Sequence, residues 1–400
     1  MTEPLRGIRV IELGSWVFVP SAAAVLAEWG ADVIKIESPE GGDPMRGMMV
    51  RDRHGQPRMD AVDRMNHNKR SIGIDVKNPR GREVLLALCR NADVFMTNWL
   101  PSARQRAGVD LADIRSANPS IIFARGSGYG QKGPAANQGA LDVTAYWART
   151  GAAHYYTQPP ETAMAPIIAP SVGDLVAGQT LAGGVAAALL RRERTGEATV
   201  VDVSLFGEGI YGMSGEISRR QLLGEPPESI TRENTPNPIV NQYRTADGRV
   251  IQLAFTQPGY WPDLLTLFGR PDLAADPRYS TPQALYDNRV EAIAALDAEF
   301  AKRTCAEWEV ILGKLDRGWE VVRKAGEVCD DPQVAANGYV AYLDRAGEPV
   351  PIVRNPVQFD ESLPEFHRAP DAGEQTDEIL AELGLDWDAI VDLKVAGAVL

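Results

Sequence analysis

The sequence predicts an α/β fold with a mostly parallel sheet, helices on both sheet faces, and a second, smaller domain. The first observation is a β-α-β pattern near the N-terminus, where apolar periodicity predicts strands over 8–13 and 32–37 and a helix over 20–29 between them. The second is that the alternation continues, with a helix over 79–90 and strands over 71–76, 93–99, 120–125 and 199–205. Repeated alternation of this kind is typical of parallel sheets.

The third observation is a change of composition near residue 224. Proline and glycine are frequent at 224–227 and 235–238, which is typical of linkers. We therefore expect a large domain over 1–222, a small domain with its linkers over 223–331, and a C-terminal segment over 332–400 that returns to the large domain.

Two further groups of elements are expected beyond the linkers. Inside the small domain, apolar periodicity predicts helices over 260–269 and 288–300, with Trp308 and Trp319 as buried anchors. The C-terminal segment predicts short strands followed by a helix over 374–383.

Composition and charge exclude several classes of protein. Hydrophobic residues make up 44% and charged residues 24% of the chain, as in soluble globular proteins, and no segment reaches the roughly 20 apolar residues that span a bilayer. The net charge of −13 argues against a nucleic-acid binder. The N-terminus lacks a signal-peptide pattern, and Cys89, Cys305 and Cys329 are expected to be buried, inert thiols. We therefore expect a cytoplasmic protein that does not bind membranes.

The histidines and glycines do not support metal or dinucleotide chemistry. His54, His67, His154 and His367 lack the spacing of metal ligands, so we expect no metal site. The first β-α turn, at 13–21, has one glycine where a dinucleotide-binding fold carries three, which disfavours NAD and FAD. The sequence has no G-x-S-x-G motif, so a hydrolase triad is not expected.

The segment 171–190 carries the main candidate for catalysis. Asp174 lies where a helix is predicted to begin, and a carboxylate there caps the helix or is kept ionised by the helix dipole. The following residues are mostly alanine and glycine, so we expect another element to pack closely against this helix. An ionised carboxylate in a tightly packed site is also a candidate nucleophile toward an activated acyl group. Capping and catalysis both stay open at this point.

A second candidate is the glycine-dense loop at 125–134, which follows a predicted strand. It is either a surface loop or a backbone that approaches a ligand closely, assisted by Arg125 and Lys132. Lys77 and Arg106 are either solvated charges or, near the carboxyl ends of strands, phosphate ligands.

Six segments, taken together, resemble a known family. They occur in order through the first two thirds of the chain, and the ordered set is specific although each segment alone is weak. The segments are 7–12, 30–37, 68–71, 128–134, 173–174 and 243–248. The family is that of the class III coenzyme A transferases, of the CaiB/BaiF type, which includes formyl-CoA transferase.

The resemblance implies both an architecture and a reaction. It implies a Rossmann-like large domain in an interlocked, ring-like homodimer. It also implies that Asp174 is the nucleophile that moves CoA from an acyl-CoA to a carboxylic acid, through an aspartyl anhydride and an aspartyl-CoA thioester. CoA is then a substrate, and no permanently bound cofactor is expected.

The resemblance also implies binding residues. The residues matching the family's CoA contacts by position are Ile74, Lys77, Asn98, Trp99 and Arg106. To these we add Arg125 and Lys132 of the glycine-dense loop. The acyl pocket is expected to include Trp16, Val17, Phe18 and Asp142. The three apolar members of that pocket favour an apolar acyl group.

Departures from the family pattern leave alternatives. Formyl-CoA transferases have a glutamine at the position of Val17, so oxalate is not expected as the acceptor. An α-methylacyl-CoA racemase is a second hypothesis, but racemases place a histidine at Leu141 and an acid at Asn241, and both are missing here. A catalytically silent CoA-binding protein is a third, and the retained Asp174 argues against it.

Overall fold

The computed structural model describes residues 2–48, 50–51, 57–58, 60–156, 171–224, 231–315, 318–345 and 348–400. Its strands are β1 (Arg9–Leu13), β2 (Asp32–Glu37), β3 (Val50–Arg51), β4 (Pro57–Arg58), β5 (Arg70–Gly73), β6 (Val94–Thr97), β7 (Ile122–Ser127), β8 (Val200–Ser204), β9 (Val240–Arg244), β10 (Val250–Ala254), β11 (Trp319–Val321), β12 (Val340–Arg345) and β13 (Glu348–Val353). Its helices are α1 (Phe18–Glu28), α2 (Asp60–Asn66), α3 (Pro79–Arg90), α4 (Pro101–Ala107), α5 (Leu111–Ala117), α6 (Ala152–Tyr156), α7 (Val172–Thr195), α8 (Leu205–Gly212), α9 (Ser214–Leu223), α10 (Trp261–Leu267), α11 (Pro271–Ala274), α12 (Pro282–Asp287), α13 (Arg289–Phe300), α14 (Cys305–Leu312), α15 (Ala325–Val328), α16 (Pro332–Asn337), α17 (Thr376–Glu382) and α18 (Trp387–Val395).

The described residues group into two compact units. The larger unit falls within Met1–Tyr156, Ala165–Leu222 and Gln333–Leu400, and the smaller falls mainly within Leu223–Pro332. The predicted linker at 224–227 lies, beyond Gly224, outside the described residues.

The larger unit is organised around a six-stranded sheet in the order β5-β2-β1-β6-β7-β8, in which every neighbouring pair is parallel. Val10 of β1 lies between Val33 of β2 and Val94 of β6, and all three are buried. Strands that are apolar on both faces are typical of a sheet covered by helices. The predicted α/β fold is therefore confirmed, and this sheet is parallel throughout.

Helices cover both faces of the sheet, as the sequence predicts. One apolar cluster joins the sheet to α1 and α7, with Leu26 and Leu181 fully buried. The other joins the opposite face to α3, α5 and α17, with Leu85, Ile114 and Ile379 fully buried. The strand order reverses between β1 and β6, and ligands of α/β folds bind at such a switch point, beyond the carboxyl ends of the strands.

Helix α7 packs very closely against α1, as expected from its small residues. A Cβ atom at Gly178 would overlap the Ser21 hydroxyl and lie only 3.2 Å from the backbone nitrogen of Ala22, so glycine suits this close approach. One expectation needs correction, because α7 is long and apolar enough, by length and composition alone, to cross a membrane. Its buried face instead forms part of the core, through residues such as Ala182 and Val185.

The smaller unit contains an antiparallel sheet in the order β11-β10-β9. Its core holds Trp261, Phe300 and Trp308, all fully buried, so the prediction for Trp308 is confirmed. Trp319 is only partly buried, against expectation, because it lies on the short edge strand β11.

The C-terminal segment differs in part from its prediction. It begins with helix α16 where short strands were expected, because Pro332 suits the start of a helix better than a strand. The strands follow as the β12–β13 hairpin, and α17 confirms the predicted helix. Helix α18 was not predicted, although Asp386 marks its start by accepting a hydrogen bond from the Ala389 amide at 2.9 Å.

The cysteines are all free thiols. Cys89 and Cys305 are buried, as expected, but Cys329 is exposed because it follows the short helix α15, which has no buried residue.

Candidate active site

A cavity of about 500 Å³ lies at the carboxyl edge of the parallel sheet. Its wall comes from the segments that follow β1, β2, β5, β6 and β7, together with the starts of α7 and α8. The lining residues are Ser15, Trp16, Phe18, Pro44, Lys77, Asn98, Trp99, Leu100, Pro101, Ala103, Gly126, Ser127, Gly128, Gln131, Gln138, Gly139, Ala140, Leu141, Asp174 and Leu205.

Two of the lining residues join the strands at the switch point. The Asn98 side chain accepts a hydrogen bond from the Ser15 amide at 3.1 Å and donates one to the Ser15 carbonyl at 2.7 Å. Asn98 follows β6 and Ser15 follows β1, so this pair fixes the two loops relative to each other.

Asp174 is the third residue of α7 and lies in the first helical turn, as predicted. The residue before the helix, Ser171, has a φ of +73° and does not cap the helix with its side chain. Asp142 takes that role, because its Oδ2 accepts a hydrogen bond from the Ser171 amide at 2.8 Å. A Cβ atom at Gly173 would overlap both Asp142 and the ring of Tyr146, so glycine is required for this approach.

The electrostatics around Asp174 correct one expectation. Burial, and then the negative charge of Asp142, raise the pKa of Asp174 to about 7. Burial also raises the pKa of Asp142, while the amides of Ser171, Gly173 and Asp174 act in the opposite direction. The start of the helix therefore stabilises Asp142, and the expectation that it keeps Asp174 ionised is wrong. We call these two residues the aspartate pair.

Two glycines allow close packing within the cavity wall. A Cβ atom at Gly128 would overlap Ala140, and one at Gly126 would overlap the side chains of Val19 and Phe18. Glycine at these two positions therefore lets β7 and its following loop pack directly against Val19, Phe18 and Ala140.

A group of buried ionised residues lies behind the loops that follow β1 and β2. Lys35 donates to Glu12 Oε1 at 2.8 Å and forms an ion pair with Asp43 Oδ2 at 3.0 Å. Lys69 donates to Glu12 Oε2 at 2.7 Å. Three cations and three carboxylates share this region, and we call them the buried charge network: Glu12, Lys35, Glu37, Asp43, Arg46 and Lys69.

Comparison with known proteins decides the family. The family model described as CoA-transferase family III matches residues 5–376. The chain belongs to CoA-transferase family III. It is 33% identical over 398 residues to the (R)-2-hydroxy-4-methylpentanoate CoA-transferase of Clostridioides difficile, with 98% of each chain covered. It is 32% identical over 400 residues to the cinnamoyl-CoA:phenyllactate CoA-transferase of Clostridium sporogenes, covering 98% of this chain and 96% of the relative.

Solved structures agree with this assignment. Rv3272 from Mycobacterium tuberculosis is similar with a TM-score of 0.82 at 28% identity, covering 94% of this chain and 99% of that one. A CaiB/BaiF family protein from Brucella suis is similar with a TM-score of 0.82 at 27% identity, covering 96% of this chain and 100% of that one. The resemblance inferred from the sequence is confirmed: the chain is a CoA-transferase, and its family uses CoA thioesters as substrates.

A second, smaller cavity of about 250 Å³ adjoins the first in this transferase, and the two share Lys77 and Trp99 as lining residues. Ile74 lines only the second, and Asn98 lines only the first. Four of the residues that the sequence assigned to CoA are thus close together.

The other residues assigned to CoA lie elsewhere. Arg125 is opposite Asp202 in the β7–β8 register and binds its carboxylate through two hydrogen bonds of 2.6 and 2.8 Å. Arg106 and Lys132 are exposed and are not among the lining residues of either cavity. Lys77 is therefore the cation that the described residues contribute to both cavities.

Of the four residues assigned to the acyl pocket, two line the cavity and two do not. Trp16 and Phe18 line the cavity with Asp174. Val17 is buried in a separate apolar cluster with Met45 and other residues, because successive side chains of this loop point in different directions. Asp142 lies behind the start of α7 and not among the lining residues.

Sequence reasoning missed some lining residues. Ser15 and Leu141 flank predicted residues, but neither carries a chemical signal of its own. The buried charge network has a signal in the sequence, because Glu12 and Lys35 are charged residues inside apolar strands. Such residues are rarely buried without partners.

Proposed function

We propose that this transferase moves CoA from an acyl-CoA to a carboxylic acid, with Asp174 as the nucleophile. The observation that carries the proposal is that Asp174 lines the cavity and that its pKa is raised to about 7. Near neutral pH a large share of Asp174 is ionised, and a carboxylate of raised pKa is a stronger base and a better nucleophile than an ordinary one.

Each step of the proposed reaction exchanges one acyl bond. The Asp174 carboxylate attacks the thioester carbonyl, the carbon–sulfur bond breaks, and CoA leaves as a thiolate, giving an aspartyl anhydride. The thiolate attacks the aspartyl carbonyl and releases the donor acid, giving an aspartyl-CoA thioester. The acceptor carboxylate then reverses the two steps, which returns Asp174 and forms the new acyl-CoA. Because an anhydride reacts readily with water, the cavity has to exclude water.

The two adjoining cavities support a place for CoA. We propose that Lys77 binds a phosphate group, and that Ile74, Asn98 and Trp99 contact the adenine and pantetheine portions. Lys77 is exposed at the mouth of both cavities, which suits a charged group that stays partly hydrated. Arg106 and Lys132 stay predictions for this role, whereas Arg125, whose charge is engaged by Asp202, is not expected to share it.

The lining around Asp174 supports an apolar acyl group. Trp16, Phe18 and Leu141 present apolar surface there, and Lys77 is the cation among the described lining residues. The Clostridioides relative is named for 2-hydroxy-4-methylpentanoate and the Clostridium relative for phenyllactate, which are acids with apolar side chains. We propose that the acids exchanged by this chain are apolar monocarboxylic acids.

The test is covalent trapping of Asp174. The protein is incubated with isocaproyl-CoA or cinnamoyl-CoA and then with hydroxylamine, and peptides are analysed by mass spectrometry. We expect a hydroxamate at Asp174 that is missing in Asp174→Asn and present in Asp202→Asn, a matched aspartate outside the cavity. A hydroxamate equally abundant in Asp174→Asn would contradict the proposal.

The alternative functions predict different results. A racemase would exchange the α-proton of a 2-methylacyl-CoA for deuterium without transferring CoA. A silent binding protein would bind CoA equally well as wild type and as Asp174→Asn, with no exchange between any donor and acceptor.

We also propose that the chain forms a homodimer. Exposed apolar side chains on α7, α8 and α9 support it, and Tyr211 and Leu222 are 78% and 83% exposed. Such a surface is typical of a protein contact. Sedimentation should give twice the chain mass, and a Tyr211→Glu, Leu222→Glu variant should give a larger monomer fraction.

We further propose a cytoplasmic location. The free thiols support it, and cell fractionation can test it.

A further inference from the structure

The buried charge network contacts the active-site cavity through Asp43. Its Oδ1 accepts hydrogen bonds from the Trp16 amide at 3.2 Å and from the Met45 amide at 2.9 Å, while its Oδ2 pairs with Lys35. Trp16 belongs to the loop after β1, and Asp43 and Met45 to the segment after β2. One buried carboxylate thus joins two segments that line the cavity.

Trp16 needs such support because its backbone is strained. Its φ is +69°, in the left-handed region that residues other than glycine rarely adopt. Its side chain is 41% exposed and lines the cavity with Asp174, so packing against the core does not hold it in place. The hydrogen bond from the Trp16 amide to Asp43 is therefore a main restraint on this conformation.

Lys35 holds Asp43 in turn. Its ammonium group, almost fully buried, donates to Glu12 Oε1 at 2.8 Å and to the Gly14 carbonyl at 2.9 Å, and it pairs with Asp43 at 3.0 Å. The Gly14 contact lies in the same loop as Trp16. Lys35 therefore restrains the loop at two points, directly at Gly14 and through Asp43 at Trp16.

We propose that Lys35 is a positioning residue for CoA transfer, acting through Asp43 to hold Trp16 against the cavity that contains Asp174. The inference rests on the proposed function, since it gives Trp16 a place beside the reacting carboxyl group. Lys69 offers a matched comparison. It is also buried and also binds Glu12, but its other hydrogen bonds go to the Pro20 carbonyl at 2.9 Å and to Asn66 at 3.1 Å, and none goes to Asp43 or the loop of Trp16.

The test is a double-mutant cycle. Lys35→Met and Lys69→Met are each made in the wild-type and the Trp16→Ala backgrounds, and kcat/KM is measured with isocaproyl-CoA as the donor. We expect Lys35→Met to lower kcat/KM about tenfold more than Lys69→Met, and to lower it less than about twofold once Trp16 is alanine. Equal effects in both backgrounds would overturn the proposal, because a purely structural lysine acts independently of residue 16.

A second readout does not depend on activity. Hydrogen exchange of the peptide containing Ser15 and Trp16 should be faster in Lys35→Met than in Lys69→Met, because Asp43, the acceptor of the Trp16 amide, is no longer held by Lys35. Unchanged exchange in Lys35→Met would overturn the inference even if the enzyme is active. Trapping that fails at Asp174 in a wild type that still transfers CoA would refute the proposed nucleophile and leave this readout intact.

A further variant covers the case in which Lys35→Met does not fold. Asp43→Asn keeps an oxygen that can accept from the Trp16 amide but loses the charge that pairs with Lys35. We expect it to lower kcat/KM, and to do so much less in the Trp16→Ala background. An effect of the same size in both backgrounds would again overturn the proposal.

Discussion

Two groups of carboxylates lie at the same edge of the sheet: those of the buried charge network are buried, whereas in the aspartate pair Asp142 is buried and Asp174 is partly buried. In the buried charge network, burial alone would raise the pKa of Glu37, but hydrogen bonds from Arg46 and the charge of Lys35 lower it to about 2. In the aspartate pair, burial and the charge of Asp142 together raise the pKa of Asp174 to about 7. Each carboxylate of the network contacts a cation, whereas among the described residues no cation pairs with Asp174.

The difference separates structural carboxylates from the proposed nucleophile. A buried carboxylate with a cation is costly to remove, because its loss leaves the cation buried without a partner, and it is a weak nucleophile because its charge is already neutralised. A buried carboxylate without a cation destabilises the fold and keeps its reactivity. Positions of the second kind persist where function requires them.

The largest effect is expected from Glu12, which pairs with both lysines. Glu12→Gln leaves the ammonium groups of Lys35 and Lys69 buried with weaker partners, so it should lower the free energy of unfolding by about 3–5 kcal/mol. Denaturant unfolding measures this directly. Glu374→Gln, in a partly exposed pair with Arg368, is the control and should change stability by less than about 1 kcal/mol. Equal effects would remove the distinction between the two kinds of carboxylate.

Removing the charge of Asp174 is expected to raise the free energy of unfolding, whereas removing that of Glu12 lowers it. Its pKa in the folded state, about 7, lies above the ordinary value of 3.8, so the ionised form destabilises the fold as pH rises from about 4 to 7. Asp174→Asn should therefore abolish transfer and yet raise the free energy of unfolding at pH 8 by about 2 kcal/mol, a part of the value that the pKa shift implies. The gain should shrink at pH 5. A gain that does not depend on pH would contradict this origin.

The sequence predicts best those structural features that are determined by residues within a single segment. Apolar periodicity predicts the strands β1 and β2 and the helix α3, and the small residues of α7 predict its close packing. These properties lie within each segment. The partial exposure of Trp319 depends on which strand forms the edge of the sheet, which is not a local property. Helix α18 is different, because its cap at Asp386 is a local signal that the sequence-based prediction did not use.

The same distinction between local and non-local causes applies to the candidate site. Asp174 at the first turn of α7 follows from local pattern, but its raised pKa depends on burial and then on the charge of Asp142, which is distant in sequence. The positions of Val17 and Arg125 likewise depend on packing and on strand register, which a motif does not contain.

The pH dependence of catalysis is expected to report the aspartate pair. Asp174 must lose its proton to attack, so kcat/KM should rise with pH to a midpoint near 7 and be about tenfold lower at pH 6 than at pH 8. Asp142→Asn keeps an oxygen for the Ser171 amide but removes the charge, so the midpoint should move to lower pH. A midpoint unchanged by Asp142→Asn would show that burial alone sets the pKa of Asp174.

The smallest effect is expected from Arg125, whose charge is already engaged by Asp202. Because the pair is partly exposed, Arg125→Ala should lower the free energy of unfolding by less than about 1 kcal/mol. Its KM for acyl-CoA should stay within about twofold of wild type, whereas Lys77→Ala, which removes a cation from both cavities, should raise KM about tenfold. A KM raised equally by both variants would mean that Arg125 leaves Asp202 to bind CoA, so a cation already paired on β7 would be available to substrate.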